Sequence, residues 1–80
     1  MNLILYSSAT CELCDKAEQL VHRTLEGTDY QLAHVDITRS FELKKQYGLK
    51  IPVLAIADEK ARVLYWPFDA QHVLELVANS

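Results

Sequence analysis

The sequence has few of the residues that break a chain or pin it together. It has two prolines, two glycines, two cysteines and one tryptophan, and no polar low-complexity tract. With half of its 80 residues apolar, that scarcity argues against disorder. Two cysteines fall short of a closed zinc site, which takes four ligands, and His22, His34 and His72 show no ligand spacing. Basic residues are the minority, eight against eleven acidic, and the net charge is −3. They form no basic cluster, which speaks against nucleic acid, whose phosphates demand a patch of Lys and Arg. No apolar run approaches the roughly 20 residues of a membrane span. The N-terminus lacks a basic region, and its apolar run is too short for a signal peptide. The expected compartment is therefore the cytoplasm, where a lone cysteine pair is more often catalytic than structural. At this length one domain is expected, residues 1–80, with a single modest core.

What is present is organised around Thr10-Cys11-Glu12-Leu13-Cys14-Asp15. The apolar run Leu3-Ile4-Leu5-Tyr6 precedes it, and a helical pattern follows to about Leu25. The Cys-x-x-Cys pair thus falls at a strand-to-helix junction. Cys11 is placed at the mouth of the helix, where unpaired backbone N–H groups favour an anion such as a thiolate. The thiolate is the nucleophile of disulfide chemistry, so this position lowers a thiol pKa where reactivity needs it. Cys14 follows about one helical turn later, a spacing at which the two sulfurs can bridge without moving the backbone. In the chain-entropy model a four-residue loop contributes about 2 kcal/mol, against about 3 for a fifteen-residue loop. A bridge this short can open and close without unfolding the domain. Redox use is favoured over two packed cysteines or half of a metal site.

Along the chain, Asn2 to Tyr6 reads as a buried strand. Thr10 is the expected N-cap of the first helix, whose buried stripe is Leu13, Ala17, Leu20, Val21 and Leu25, and Gly27 is its stop. His22 lies beside that stripe with nothing titratable placed next to it, as a structural or exposed histidine does. Tyr30 to Ile37 alternates as a strand, with Ala33, Val35 and Ile37 on its better-buried side. The strand–helix–strand order predicts a parallel, right-handed βαβ unit. Thr38 or Ser40 caps a second helix to about Tyr47, with Leu43 and Tyr47 on one face and Gly48 as its end. Ile51 to Ala57 and Ala61 to Trp66 read as a hairpin about the turn Asp58-Glu59-Lys60, and Pro67 stops it. Asp69 caps a last helix whose buried stripe is Val73, Leu74 and Val77. Trp66 and Phe68 are expected in the core, the commoner place for aromatics, rather than in an apolar patch beside the cysteines.

Cys11-Glu12-Leu13-Cys14, the Lys50-Ile51-Pro52-Val53 segment about forty residues later, and this element order together resemble the glutaredoxin branch of the thioredoxin fold, across nearly the whole chain. Trp66-Pro67-Phe68-Asp69 is similar to a segment of the compact glutaredoxin-like proteins. The resemblance implies an α/β fold, a four-stranded mixed sheet with three helices in the order β-α-β-α-β-β-α. It implies a cis Ile51–Pro52 bond facing the cysteine pair. It also implies a thiol–disulfide oxidoreductase with Cys11 as nucleophile and Cys14 as resolving residue, joined in a redox-active Cys11–Cys14 disulfide. Ile51 and Pro52 would bind the substrate, and Asp69, first of all a helix cap, is a candidate for holding a substrate amino group. No metal and no organic cofactor is implied. The implied partner is a disulfide-bearing protein or small molecule, with glutathione a candidate substrate and reductant; neither nucleic acid nor membrane is expected, and the protein is expected to be a monomer. The alternative is a non-catalytic module docking a partner strand at the Ile51-Pro52 groove. The chain departs from the usual pattern in three places. Glu12-Leu13 replaces Pro-Tyr, Ser8 stands where a Lys is usual, and Pro67-Phe68 precedes Asp69 in place of Gly-Gly. Glu12 and Asp15 bring negative charge to a site where glutathione would bring more.

Overall fold

In the computed structural model, which describes residues 2–57 and 62–78, the elements are β1 (Asn2–Ser7), α1 (Glu12–Thr24), β2 (Gln31–Asp36), a 3-10 turn (Ile37–Arg39), α2 (Phe41–Tyr47), β3 (Val53–Ile56), β4 (Val63–Tyr65) and α3 (Ala70–Ala78). The four strands form one sheet in the order β2-β1-β3-β4. β1 runs parallel to β2 (Leu3 opposite Leu32) and antiparallel to β3 (Leu5 opposite Leu54), and β3 is antiparallel to β4 (Leu54 opposite Leu64). The expected fold is thus present: a four-stranded mixed sheet with three helices in β-α-β-α-β-β-α order. The turn Asp58-Glu59-Lys60 and Ala61 lie outside the described residues.

Side-chain alternation decides which sheet face carries the main core. Leu3 and Leu5 of β1 and Leu54 and Ile56 of β3 point to one side, where α1 and α3 supply Ala17, Val21, Val73 and Leu76. The other face is covered at one end by the 3-10 turn and α2, through Ile37, Tyr47 and Val53. A seven-residue helix cannot roof a whole sheet, and this explains β2. Leu32 packs on the main core, while Ala33 is exposed and Val35 only half-buried. Neither side of this edge strand is fully buried: Ala33 and His34 are exposed, and Leu32, Val35 and Asp36 are half-buried. Ile37 is buried, but in the 3-10 turn rather than in the strand.

Two helix stripes each differ from the expectation at one residue, while Ala17, Leu20, Val21 and Leu25 of the first and Val73 and Val77 of the second lie in or against the core as expected. On α1 the buried residues are Cys14, Ala17 and Val21, spaced three and four apart as one face requires. Leu13 is 43% exposed. On α3 they are Val73 and Leu76, and Leu74 is 49% exposed. The caps are specific. Ser40 Oγ accepts the Leu43 N–H at 3.3 Å, and Asp69 Oδ1 accepts the His72 N–H at 2.9 Å. Gly27 takes φ +84° after α1, whose C-cap is Leu25. Gly48 ends α2 in right-handed conformation, and a Cβ there would collide with the Lys44 carbonyl oxygen. Smallness, not left-handed freedom, is what this position needs.

His22 has titratable neighbours after all. Its Nδ1 lies 2.6 Å from Tyr30 Oη, its Nε2 is 3.5 Å from Glu18 Oε1, and His34 Nε2 of β2 reaches the same oxygen at 3.0 Å. These contacts join α1 to the exposed sheet edge. The Glu18–His22 pair is an i,i+4 contact within α1; the Tyr30 and His34 contacts escape a linear reading because their partners come from separate parts of the chain. At the far end of β2, Asp36 Oδ1 accepts from the Thr38 hydroxyl (2.6 Å) and backbone N–H (2.9 Å). The Thr38 hydroxyl and then its N–H, with a smaller effect of Arg39, hold the Asp36 carboxyl below its ordinary value.

Candidate active site

The sheet's connectivity gathers several loops at one end. β1 ends at Ser7 with Tyr6 opposite Val53, the first residue of β3, and Val53 is opposite Tyr65, the last of β4. The loops entering α1, β3 and α3 therefore all lie at that end. Cys11, and not the expected Thr10, is the N-cap of α1. Its backbone is extended (φ −97°, ψ 103°), and its Sγ accepts the Cys14 N–H at 3.1 Å. The sulfur thus takes the place that a Ser or Asp oxygen fills in an ordinary cap. The Cys11 N–H in turn donates to the Ser8 carbonyl at 3.3 Å.

Cys11 and Cys14 are joined by a disulfide, with their Cα atoms 5.3 Å apart. They differ in access. Cys14 is 4% exposed and turned toward the core, while Cys11 is half-buried and Glu12, Leu13 and Asp15 beside it are exposed. Among the described residues, no group of three or more His, Cys, Asp or Glu is placed to hold a metal ion, and no helix is long and apolar enough to cross a membrane.

The peptide bonds Ile51–Pro52 and Trp66–Pro67 are both cis; nothing in the sequence singled out the second. Pro52 itself is fully buried, and its carbonyl accepts the Trp66 N–H at 3.3 Å. The residue that reaches the surface is Ile51. It lines a cleft of about 570 Å³ together with Ser8, Leu49 and Lys44, Lys45 and Lys50. Ser8 and Ile51 thus join this cleft to the cysteine loop. Three lysines on one wall correct the expectation of no basic cluster. They come from α2 and from the loop after it, and one signal was available: residues 37–57 carry four basic side chains against one acidic, whereas the rest of the chain carries four against ten.

Trp66 and Phe68 do not edge the cleft. Phe68 is 6% exposed in the main core, and Trp66 packs against that core, edge-on to Phe68 with ring centroids 5.1 Å apart. Asp69 is exposed, and its Oδ1 is occupied by the α3 cap. The Asp69 N–H donates to His72 Nδ1 at 3.2 Å, closing a reciprocal pair across the first turn.

Tyr47 lies beneath this end of the sheet, its ring stacked on Tyr6 at 4.5 Å. Burial, with Tyr6 and Tyr65 nearby, holds its phenol above the ordinary 10.0. The neutral form is favoured in the folded chain, so the unfolded chain ionises first as pH rises. Stability is then retained below pH 10 and falls between 10 and the higher folded value. Tyr47→Phe is expected to flatten this alkaline loss; equal slopes of melting temperature against pH above 10 in both proteins would contradict it.

The glutaredoxin-like domain family (DUF836) matches residues 2–78. Among solved structures, the X-ray structure of XcR50, a structural-genomics target protein from X. campestris, is similar at 32% identity and a TM-score of 0.77, covering 98% of this chain and 97% of that one. A mutant thioredoxin from Halobacterium salinarum NRC-1 shares the fold at 21% identity and a TM-score of 0.72, over 98% of this chain and 72% of that one. So does thioredoxin 1 from Thermosipho africanus TCF52B, at 13% identity and 0.58, over 99% and 92%. No curated protein matches the chain. With a family match that runs almost end to end, and a four-stranded sheet and three helices shared with the similar solved structures, the chain belongs to the glutaredoxin-like proteins of the thioredoxin fold.

Proposed function

We propose that the protein is a thiol–disulfide oxidoreductase working through a dithiol cycle. The observation that carries this reading is the unequal environment of the two bridged sulfurs. Cys11 sits at the helix mouth with a backbone N–H on its Sγ, and Cys14 is buried one turn below. In the reduced protein the same N–H and the helix terminus stabilise a Cys11 thiolate. That thiolate attacks one sulfur of a substrate disulfide. A Cys11–substrate bond forms, the substrate S–S bond breaks, and the departing thiolate takes a proton from solvent. Cys14 then loses its proton, attacks Cys11 Sγ and expels the second substrate sulfur, which is protonated in turn. Two electrons pass to the substrate, and the chain is left with the Cys11–Cys14 disulfide. An external thiol, glutathione or a protein dithiol, reverses the process. Electrons move between sulfurs throughout, so the cycle calls for no metal or organic cofactor.

Ile51 is the substrate-positioning residue in this proposal. It is half-buried, lines the cleft beside Ser8 and precedes the buried Pro52; its N–H donates to the Tyr47 carbonyl at 3.2 Å, which leaves its carbonyl to receive an extended substrate segment. Asp69 enters as the α3 cap, not as a substrate ligand.

The test is a single turnover. The reduced protein is mixed with one equivalent of a cystine-containing peptide, and both products are weighed by mass spectrometry. The expected result is oxidised protein and reduced peptide in equal amounts. Reduced protein standing unchanged beside intact peptide would instead support the non-catalytic module.

A further inference from the structure

We propose that the cleft between α2 and the Ile51 loop is a docking surface for an acidic, leucine- or phenylalanine-bearing segment of a disulfide-containing protein. This inference names the substrate class for the oxidoreductase activity above and rests on that reading.

The surface is continuous. Phe41, 82% exposed at the first turn of α2, lies against Lys44 and Lys45. The same two lysines wall the main cleft with Leu49, which is fully exposed, and with Lys50 and Ile51. Lys50 Nζ lies 5.4 Å from the centre of the exposed Tyr65 ring. Ser8, which also lines the cleft, carries the carbonyl that receives the Cys11 N–H. A band of cations and bare apolar side chains therefore runs from the start of α2 to the cysteine loop.

Its charge opposes the rest of the molecule. Residues 37–57 have a surplus of three positive charges in a chain whose net charge is −3. Glu12 and Asp15, in the first turn of α1 beside the cysteines, are not among the residues that line the cleft. A substrate approaching Cys11 meets negative charge from the first turn of α1 and positive charge from the cleft. An acidic segment is thus drawn to the α2 side and repelled from the α1 side, which fixes its direction across the disulfide.

The occupant's class follows from two further points. It must carry a disulfide to the cysteine loop, which a nucleic acid does not. It must also reach the length of α2, about 10 Å for seven residues, which takes about three extended residues beyond those at the cysteines. Phe41 and Leu49 offer such a segment apolar contacts that a small anion would leave unused.

The experiment uses the whole protein and short cystine peptides flanked on one side by Glu-Asp-Glu-Leu or by Gln-Asn-Gln-Leu. At low salt the acidic peptide is expected to be reduced about tenfold faster, with the advantage lost near 0.5 M NaCl. Lys44→Glu/Lys45→Glu, on an exposed helix face, and Lys50→Glu, on the loop, are each expected to bring the ratio to about one or below. A serine version of the acidic peptide is titrated separately against the oxidised, isotope-labelled protein. Amide shifts at Lys44, Lys45, Leu49 and Lys50 are expected. Shifts without any exchange would keep the docking surface and sink the oxidoreductase reading. Exchange at equal rates without shifts would do the reverse. Oxidised glutathione or an oligonucleotide moving the same amides at lower concentration than the peptide would also overturn the proposal.

Discussion

Leu54→Ala is expected to lower the unfolding free energy by about 2–5 kcal/mol, the range for deleting a buried leucine and leaving its cavity. Leu54 is fully buried in β3, opposite both Leu5 and Leu64 at the centre of the main core. A domain of this size has only about 4–12 kcal/mol in total, so the variant stands near the edge of folding at physiological temperature. Leu76→Ala is expected to fall in the lower part of the same range, because Leu76 is 7% exposed at the margin of that core. Leu74→Ala, on the open face of α3 and 49% exposed, is expected to change stability by no more than about 0.5 kcal/mol. Urea titrations of the three variants give the ordering directly. A loss at Leu74 equal to that at Leu76 would mean that α3 is rotated from its described register.

The contrast between Leu74 and Leu76 shows where the sequence was readable and where it was not. Element order was legible, because each element carries its own periodicity and its own terminus: Ser40 and Asp69 at helix starts, Gly27 and Gly48 after helix ends. The phase of a short helix was not. In α3, Val73 and Val77 fix one line, and either Leu74 or Leu76 can accompany them; packing against α1 and the sheet decides. The first residue of the α1 stripe was misassigned for a related reason, though Ala17, Leu20, Val21 and Leu25 were read correctly. Leu13 is the more apolar residue by type, but the buried position falls to Cys14, three residues before Ala17 and seven before Val21 on one face. The cap moved from Thr10 to Cys11 because the sulfur itself accepts the Cys14 N–H, an interaction that residue preferences for oxygen caps do not anticipate.

The candidate site divides in the same way. Cys11 and Cys14 were visible because they lie in a short, local pattern, whereas the Ile51-Pro52 step was singled out by the family resemblance alone. The lysine wall was not, because its members matter through their position relative to Ile51 and Ser8. Lys44 and Lys45 reach that position on α2, and Lys50 on the loop that follows it. The His22–Tyr30 and Glu18–His34 contacts were hidden likewise, since α1 must meet β2 and the segment before it for those groups to become neighbours.

The two cysteine variants are expected to fail differently. Cys11→Ser removes the sulfur at the helix mouth and leaves a hydroxyl that does not displace a disulfide sulfur; exchange should fall to the uncatalysed background. Cys14→Ser keeps the nucleophile and removes the second displacement. The first step then proceeds and the mixed disulfide accumulates, because the buried serine cannot expel the bound substrate sulfur. Loss of stability cannot imitate this pattern. Both variants lose the same four-residue bridge, worth about 2 kcal/mol in the chain-entropy model, and Cys14→Ser also buries a hydroxyl at a cost of about 1–3 kcal/mol if it is left unbonded. The less stable variant is thus the one expected to form the adduct. Mass spectrometry of the quenched reactions distinguishes the two, an added substrate mass on Cys14→Ser and none on Cys11→Ser. Equal adducts on both would mean that either sulfur can attack, and the assignment of order to the pair would fall. Absence of adduct on Cys14→Ser, with its fold verified by its melting curve, would remove Cys11 as the nucleophile altogether.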